Sequence, residues 1–230
     1  YYRLICEASQ QYHQDKVFTG PIPMPEISIE SLNLNFTVNN RGSSEPGSWL
    51  KWDECFKKAA SRLQASGAEL IVLASVTPHA RLKEISDGIS VPFVSIYESI
   101  GAHCQDHNID NVLVLGTMPT MTTLAFKNGV KAFGVNAIYP STDVLKEQVI
   151  EVIEALYQYK TQGTALAIDR IVRACVSDED LKNTVVCLGC TDLTLAFESS
   201  LDKTSFDYKG VGYLNASVLH AATVFQACAQ

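Results

Sequence analysis

Two short stretches of this sequence place nucleophile-capable side chains just where an apolar run stops. In Val186-Cys187-Leu188-Gly189-Cys190-Thr191-Asp192 the run ends in a glycine and a thiol, and a helix can begin at Thr191-Asp192-Leu193-Thr194. A thiol beside the N-terminal amides of a helix is favoured as thiolate, the form that attacks carbon or removes a proton. A cysteine in an apolar strand environment serves equally well as a small buried hydrophobe, and both readings stand at this level. The second stretch, Ile71-Val72-Leu73-Ala74-Ser75-Val76-Thr77-Pro78-His79, ends in a hydroxyl, with an imidazole four residues on. If Pro78 opens a helix, its missing N–H costs nothing there and Thr77 caps it. His79 then lies in the first turn, either beside a ligand or on the surface.

A third stretch adds acceptor-binding rather than nucleophilic groups. Gly116-Thr117-Met118-Pro119-Thr120 follows Asn111-Val112-Leu113-Val114-Leu115, and its glycine permits close backbone approach while hydroxyls and amides can cradle a carboxylate. It lacks the lysine of a phosphate-binding loop, so the choice is between an anion site and a plain tight turn. Cys187 and Cys190 form a C-x-x-C without a second such pair, and Cys187 lies inside the strand, so redox or metal use is disfavoured and Cys187 is read as core. His103 and His107 are four apart but have no third ligand at a convincing spacing. His220, in the apolar Ser217-Val218-Leu219-His220-Ala221-Ala222, reads as a packed helix histidine.

The elements that must position these residues alternate. The spacing predicts helices over 1–13, 49–66, 81–89, 97–108, 121–128, 142–160, 164–177 and 217–229. Strands are expected at 27–35, 69–74, 92–96, 111–116, 131–137 and 184–188. Short apolar runs between helices are the mark of a buried parallel sheet, so the fold class is α/β. In such sheets ligands sit at the carboxyl ends of strands, where Ser75, Thr117 and Cys190 all fall.

The whole chain narrows the function classes. Its 230 residues are 47% hydrophobic and 19% charged, enough for a substantial core and unlike a disordered chain. A formal charge of -7 without a Lys/Arg cluster argues against a nucleic-acid partner. Seven cysteines, an odd and scattered set, point to free thiols in a reducing compartment, and with no apolar run near 20 residues and no leader pattern the expectation is a cytoplasmic protein off the membrane.

Taken together, Ala74-Ser75-Val76-Thr77-Pro78-His79, Leu115-Gly116-Thr117, Gly189-Cys190-Thr191-Asp192-Leu193, the opening Tyr1-Tyr2-Arg3 helix and Leu219-His220-Ala221 resemble the cofactor-independent aspartate/glutamate racemase superfamily over nearly the whole chain. The resemblance implies two pseudo-symmetric α/β domains, 1–97 plus 209–230 and 98–208, with parallel sheets flanked by helices and an active site at their interface. It also implies a homodimer with neither metal nor pyridoxal phosphate. In that family two cysteines flank the substrate α-carbon, because a single fixed base returns the proton to the face it came from. Cys190 takes the second cysteine position. Ser75 stands where the first is expected, and Val76 replaces the following asparagine, while Thr77 and His79 match. Thr77, Gly116, Thr117, Thr120 and Thr191 correspond to the carboxylate grip, Lys160 to a lysine near the distal carboxylate, and His79, Asp192 and His220 to supporting groups. The resemblance further implies a strand and a Gly-Gly-Met-Ser-like loop ahead of Tyr1, so the sequence given is expected to begin inside the first domain.

Three functions are compatible with this set. One is an amino-acid racemase using Cys190 with Ser75 opposite. The second is a lyase, decarboxylase or cis/trans isomerase of a small carboxylate that needs only one cysteine. The third is a carboxylate-binding homologue without catalysis.

Overall fold

The computed structural model describes residues 1–17, 19–43 and 45–229. In chain order come α1 (Tyr2–His13), α2 (Leu34–Asn39), α3 (Leu50–Ala65), a 3₁₀ turn Thr77–Arg81 running into α4 (Leu82–Ser86), and α5 (Ile96–Asp106). These lead to β1 (Asn111–Gly116), α6 (Met118–Thr122), α7 (Ala125–Lys131), β2 (Asn136–Ile138), α8 (Asp143–Tyr157) and α9 (Thr164–Cys175). The chain continues through β3 (Thr184–Gly189), a 3₁₀ segment Thr191–Ser200, β4 (Ser205–Tyr208), β5 (Val211–Asn215) and α10 (Ala216–Cys228).

The chain divides into two compact units. One comprises Tyr1, Ala74–Ala80 and Ser95–Thr223, and the other Tyr2–Leu73, Arg81–Val94 and the described residues from Val224 on. Ala74–Ala80 and residues 209–223 group with the second half of the chain.

The larger unit is built on one sheet in the order β2-β1-β3-β5-β4, parallel except for the antiparallel edge strand β4. Side chains alternate across it, as the two-residue period of a strand requires. Leu113, Leu115, Val186 and Leu188 enter a core with α8 and α9, whereas Val112, Val114, Val185 and Cys187 enter the opposite core with α5 and α7. Most of these side chains are fully buried, each contributing roughly 1.5–3 kcal/mol of transfer free energy. The alternation runs through Cys190, whose extended backbone (φ -133°, ψ 133°) keeps it on the Val186/Leu188 face. Cys187 and Cys190 thus point to opposite sides of the sheet, which disposes of a paired thiol function for the C-x-x-C.

The smaller unit is mainly helical. Trp52, Leu73 and Ile85 form its core, the Trp52 indole N–H donates to the Thr37 carbonyl at 2.9 Å, and Arg81 grips Asp53 through two bonds of 3.0 and 2.6 Å. The strands expected at 69–74 and 92–96 shrink to one parallel bridge, Ile71 to Phe93. The strand expected at 27–35 does not form. Ile29 is 68% exposed and no neighbouring backbone pairs with the segment, while the Asn33 side chain accepts from the Phe36 N–H and starts α2. Apolar alternation alone does not make a strand without a partner ladder.

Two further expectations change. The helix expected at 121–128 becomes α6 and α7, divided at Thr123, whose extended backbone (φ -89°, ψ 155°) breaks the helical run. The strand expected at 131–137 is shortened to β2, because Lys131 completes α7 and Gly134 turns with φ +77°. The β4–β5 hairpin has no counterpart among the expected strands. Its turn uses Lys209 and Gly210, both at positive φ (53° and 75°), a turn that matches strand twist but lacks the usual Asn-Gly signature. No described helix is long and apolar enough to cross a membrane, and no group of three or more metal-ligating side chains occurs among the described residues.

Candidate active site

The site begins where two neighbouring parallel strands stop together. β1 and β3 pair in register from Asn111/Thr184 to Gly116/Gly189. A Cβ on Gly116 would lie 2.8 Å from the Gly189 carbonyl oxygen, and one on Gly189 would lie 2.9 Å from the Leu115 carbonyl oxygen. Only glycine fits at either place without moving a strand. After Gly116, Thr117 precedes α6, with Pro119 in the first turn where its missing N–H has no cost. That turn carries Thr120 back over the glycines, its methyl 3.0 Å from the Cβ position of Gly116 and 3.5 Å from that of Gly189.

Three buried threonines join at this end of the sheet. The Thr77 and Thr117 hydroxyls are 2.9 Å apart, and those of Thr117 and Thr120 are 3.1 Å apart. Their relative exposures of 3%, 6% and 1% put the chain out of bulk water. Three hydroxyls hold three protons, and the two mutual bonds use two of them. Whichever way the chain is polarised, one proton is left to donate to an acceptor outside it, and a carboxylate oxygen is such an acceptor.

Cys190 follows Gly189 at the same end and is 6% exposed. Its sulfur lies 3.7 Å from Asp192 Oδ2, to which the Thr191 hydroxyl also donates at 3.3 Å. The Leu193 N–H returns to the Cys190 carbonyl at 3.1 Å, so the thiol stands at the head of the 3₁₀ segment. Cys187 is different: burial, and then Cys104, push its thiol far above the ordinary range. Cys104 is pushed up to about 12 by burial. Both are core thiols.

Ser75 is half-buried. His79 Nδ1 lies 2.8 Å from the Ser75 carbonyl, and since a carbonyl only accepts, that nitrogen carries the hydrogen. The His79 ring meets the His220 ring edge-on at 5.3 Å and the Tyr97 ring at 5.7 Å. His220 is fully buried on α10, as expected for a packed helix histidine, and its Nδ1 lies 3.0 Å from the Tyr1 hydroxyl. Burial pushes the Tyr1 phenol well above its usual range.

The structure therefore draws the sequence candidates into three groups: Thr77 with Thr117 and Thr120, Cys190 with Thr191 and Asp192, and Ser75 with His79 and His220. Thr120 links the first group to the second through Gly116 and Gly189. Lys160 is exposed just beyond α8, and the next residue, Thr161, donates to Glu198 in the segment that follows Cys190. Tyr1 was absent from the candidates, because an aromatic residue at the head of an amphipathic helix reads as packing. Gly189 belonged to the motif, but its steric role depends on a strand 73 residues away in sequence.

Solved structures share this fold. A candidate Asp/Glu racemase from Yersinia pestis superposes with a TM-score of 0.77 at 21% identity, covering 100% of this chain and 92% of that one. An aspartate racemase homologue from Pyrococcus horikoshii OT3 gives 0.71 at 24% identity, covering 99% and 93%. Glutamate racemase from Francisella tularensis in complex with D-glutamate gives 0.57 at 14% identity, covering 81% and 67%. At these identities the likeness is one of fold. The broad specificity amino-acid racemase RacX of Bacillus subtilis is 25% identical over 139 residues, 60% of this chain, and the match spans 59% of that relative's length. The model of the Asp/Glu/hydantoin racemase family matches residues 39–222, and the chain belongs to that family.

Proposed function

We propose that this chain racemises a small amino acid by cofactor-independent proton transfer at the α-carbon. The observation that carries this reading is the placement of a thiol and a buried hydroxyl chain on adjoining strand ends. Carboxylate binding to Thr77, Thr117 and Thr120 would bring a substrate α-carbon to Cys190. Thiol chemistry suits the task because a reference pKa near 8.5 is tuned to neutral operation far more easily than that of an alcohol. Asp192 accepts the thiol hydrogen, providing a route for the proton that must leave sulfur before it can act as a base. As the α-proton departs, charge moves onto the substrate carboxylate, and the hydroxyl proton left over in the threonine chain strengthens its bond to that oxygen. Ser75 occupies the opposite position and returns a proton to the other face, Gly116 and Thr191 complete the grip, and Lys160 meets a distal carboxylate.

One observation favours the single-cysteine alternative. His79 donates its Nδ1 hydrogen to the Ser75 carbonyl, so that nitrogen is not a base for the Ser75 hydroxyl. A lyase, decarboxylase or isomerase of a small carboxylate needs only Cys190.

The experiment is proton NMR in D₂O with chiral analysis, using both enantiomers of aspartate, glutamate and a wider amino-acid panel, the last prompted by the breadth of RacX. Exchange with inversion is the expected result. Exchange without inversion would assign one-faced chemistry to Cys190, and no exchange across the panel would overturn racemisation in favour of malonates, maleate-like diacids and β-substituted carboxylates.

A further inference from the structure

Tyr1 is a polar aromatic group in contact with the histidine pair whose part in the proposed chemistry has not been given. Its hydroxyl lies 3.0 Å from His220 Nδ1, and the two rings meet edge-on at 5.7 Å. The Ser217 side chain lies beside the phenol and partly offsets the upward push that burial gives it. His220 is fully buried, and an Nδ1 that accepts the phenol O–H leaves the ring hydrogen on Nε2. The His220 ring stands edge-on to His79 at 5.3 Å, and His79 holds the Ser75 carbonyl at 2.8 Å. Tyr1, His220, His79 and Ser75 form one continuous run of contacts although Tyr1 and His220 are 219 residues apart.

We infer that Tyr1 is a positioning residue: its hydroxyl fixes the tautomer and orientation of His220, and through His79 it sets the turn that presents Ser75. The inference rests on the racemase reading only for its kinetic consequence, since the tautomer is a property of the resting protein. Tyr1→Phe keeps the ring and removes only the hydroxyl, so the edge contact with His220 survives. Long-range proton–nitrogen correlation spectra of the unmodified protein should show His220 as the Nε2–H form and His79 as the Nδ1–H form. In Tyr1→Phe the His220 signals should move toward the other tautomer and the His79 Nδ1–H resonance should shift. Among racemised amino acids kcat should fall at least fivefold with KM within twofold, as expected when geometry rather than binding is disturbed. A His220 already carrying its hydrogen on Nδ1, or unchanged histidine signals in Tyr1→Phe, overturns the inference. Shifted signals with unaltered kcat overturn the positioning role. If the unmodified protein turns over none of the amino acids, the racemase reading fails separately and the histidine signals alone decide whether Tyr1 sets the His220–His79 arrangement.

Discussion

Gly116 and Gly189 face one another at the ends of β1 and β3 so closely that a methyl group on either would press on a backbone carbonyl of the neighbouring strand, at 2.8 and 2.9 Å. These nearest atoms belong to the backbone of strands paired on both sides, so a side-chain rotation cannot relieve the contact. Gly189→Ala is expected to destabilise the protein by about 1–3 kcal/mol in chemical denaturation, the usual range for overpacking. Because Thr120 and Cys190 flank the displaced point, turnover should fall by more than the loss of folded protein explains, as measured on enzyme corrected for its folded fraction.

Thr117 is the middle member of the threonine chain, bonded on both sides. Thr117→Val keeps the shape but leaves the buried hydroxyls of Thr77 and Thr120 without their shared partner. The expected cost is about 1–3 kcal/mol, the desolvation penalty of an unsatisfied buried hydroxyl. Thr117→Ser keeps the oxygen and should retain most of the stability. If the chain grips a substrate carboxylate, KM should rise at least tenfold in Thr117→Val and less than threefold in Thr117→Ser.

The parts of the molecule that could be read directly from the sequence are those in which a local pattern and its tertiary surroundings agree. β1 falls where the apolar run Asn111 to Gly116 places it, and α8 and α9 follow their apolar periodicity to within a few residues. The 27–35 segment has strand-like alternation, but a strand exists only when another backbone completes its hydrogen bonds, and local sequence carries no such information. The β4–β5 hairpin was hidden because Lys209-Gly210 is an uncommon way to supply two residues at positive φ. At the site, the residue types at the strand ends were legible, whereas the contact of Thr77 with Thr117, 40 residues on, arises from the way the chain returns to one place.

The buried acidic groups predict the response to alkali. Burial pushes the Cys104 thiol up to about 12, and Cys187, Tyr97 and Tyr213 are also pushed upward by burial. Above pH 9 the unfolded chain loses these protons while the folded chain keeps them. Folded protein then binds more protons, and stability falls as pH rises. The contribution of Cys104 is fully present below about pH 9 and lost progressively up to about 12, at about 1.4 kcal/mol per pH unit for a fully linked group. Cys104→Ala should be less stable at pH 7 by on the order of 1 kcal/mol for the lost packing, yet should show a shallower decline between pH 9 and 11. Urea midpoints across that range measure both effects.

Cys190 and Cys187 offer an internal comparison, being three residues apart, both buried, and on opposite faces of one sheet. Cys190→Ala should reduce turnover by at least 10³-fold with a melting temperature within about 2 °C of the unmodified protein, since a base that touches the reacting carbon has no substitute in alanine. Cys187→Ala should do the reverse, losing on the order of 1 kcal/mol of stability while leaving turnover nearly unchanged, because only packing is removed. Alkylation must be followed site by site, since Cys228 is exposed and will react first whatever Cys190 does. Peptide mass spectrometry of iodoacetamide-treated protein should show Cys190 modified slowly and protected by a small dicarboxylate, with Cys228 modified at the same rate in its presence. Undiminished turnover in Cys190→Ala would remove the thiol from the mechanism and leave the threonine chain as a binding site alone.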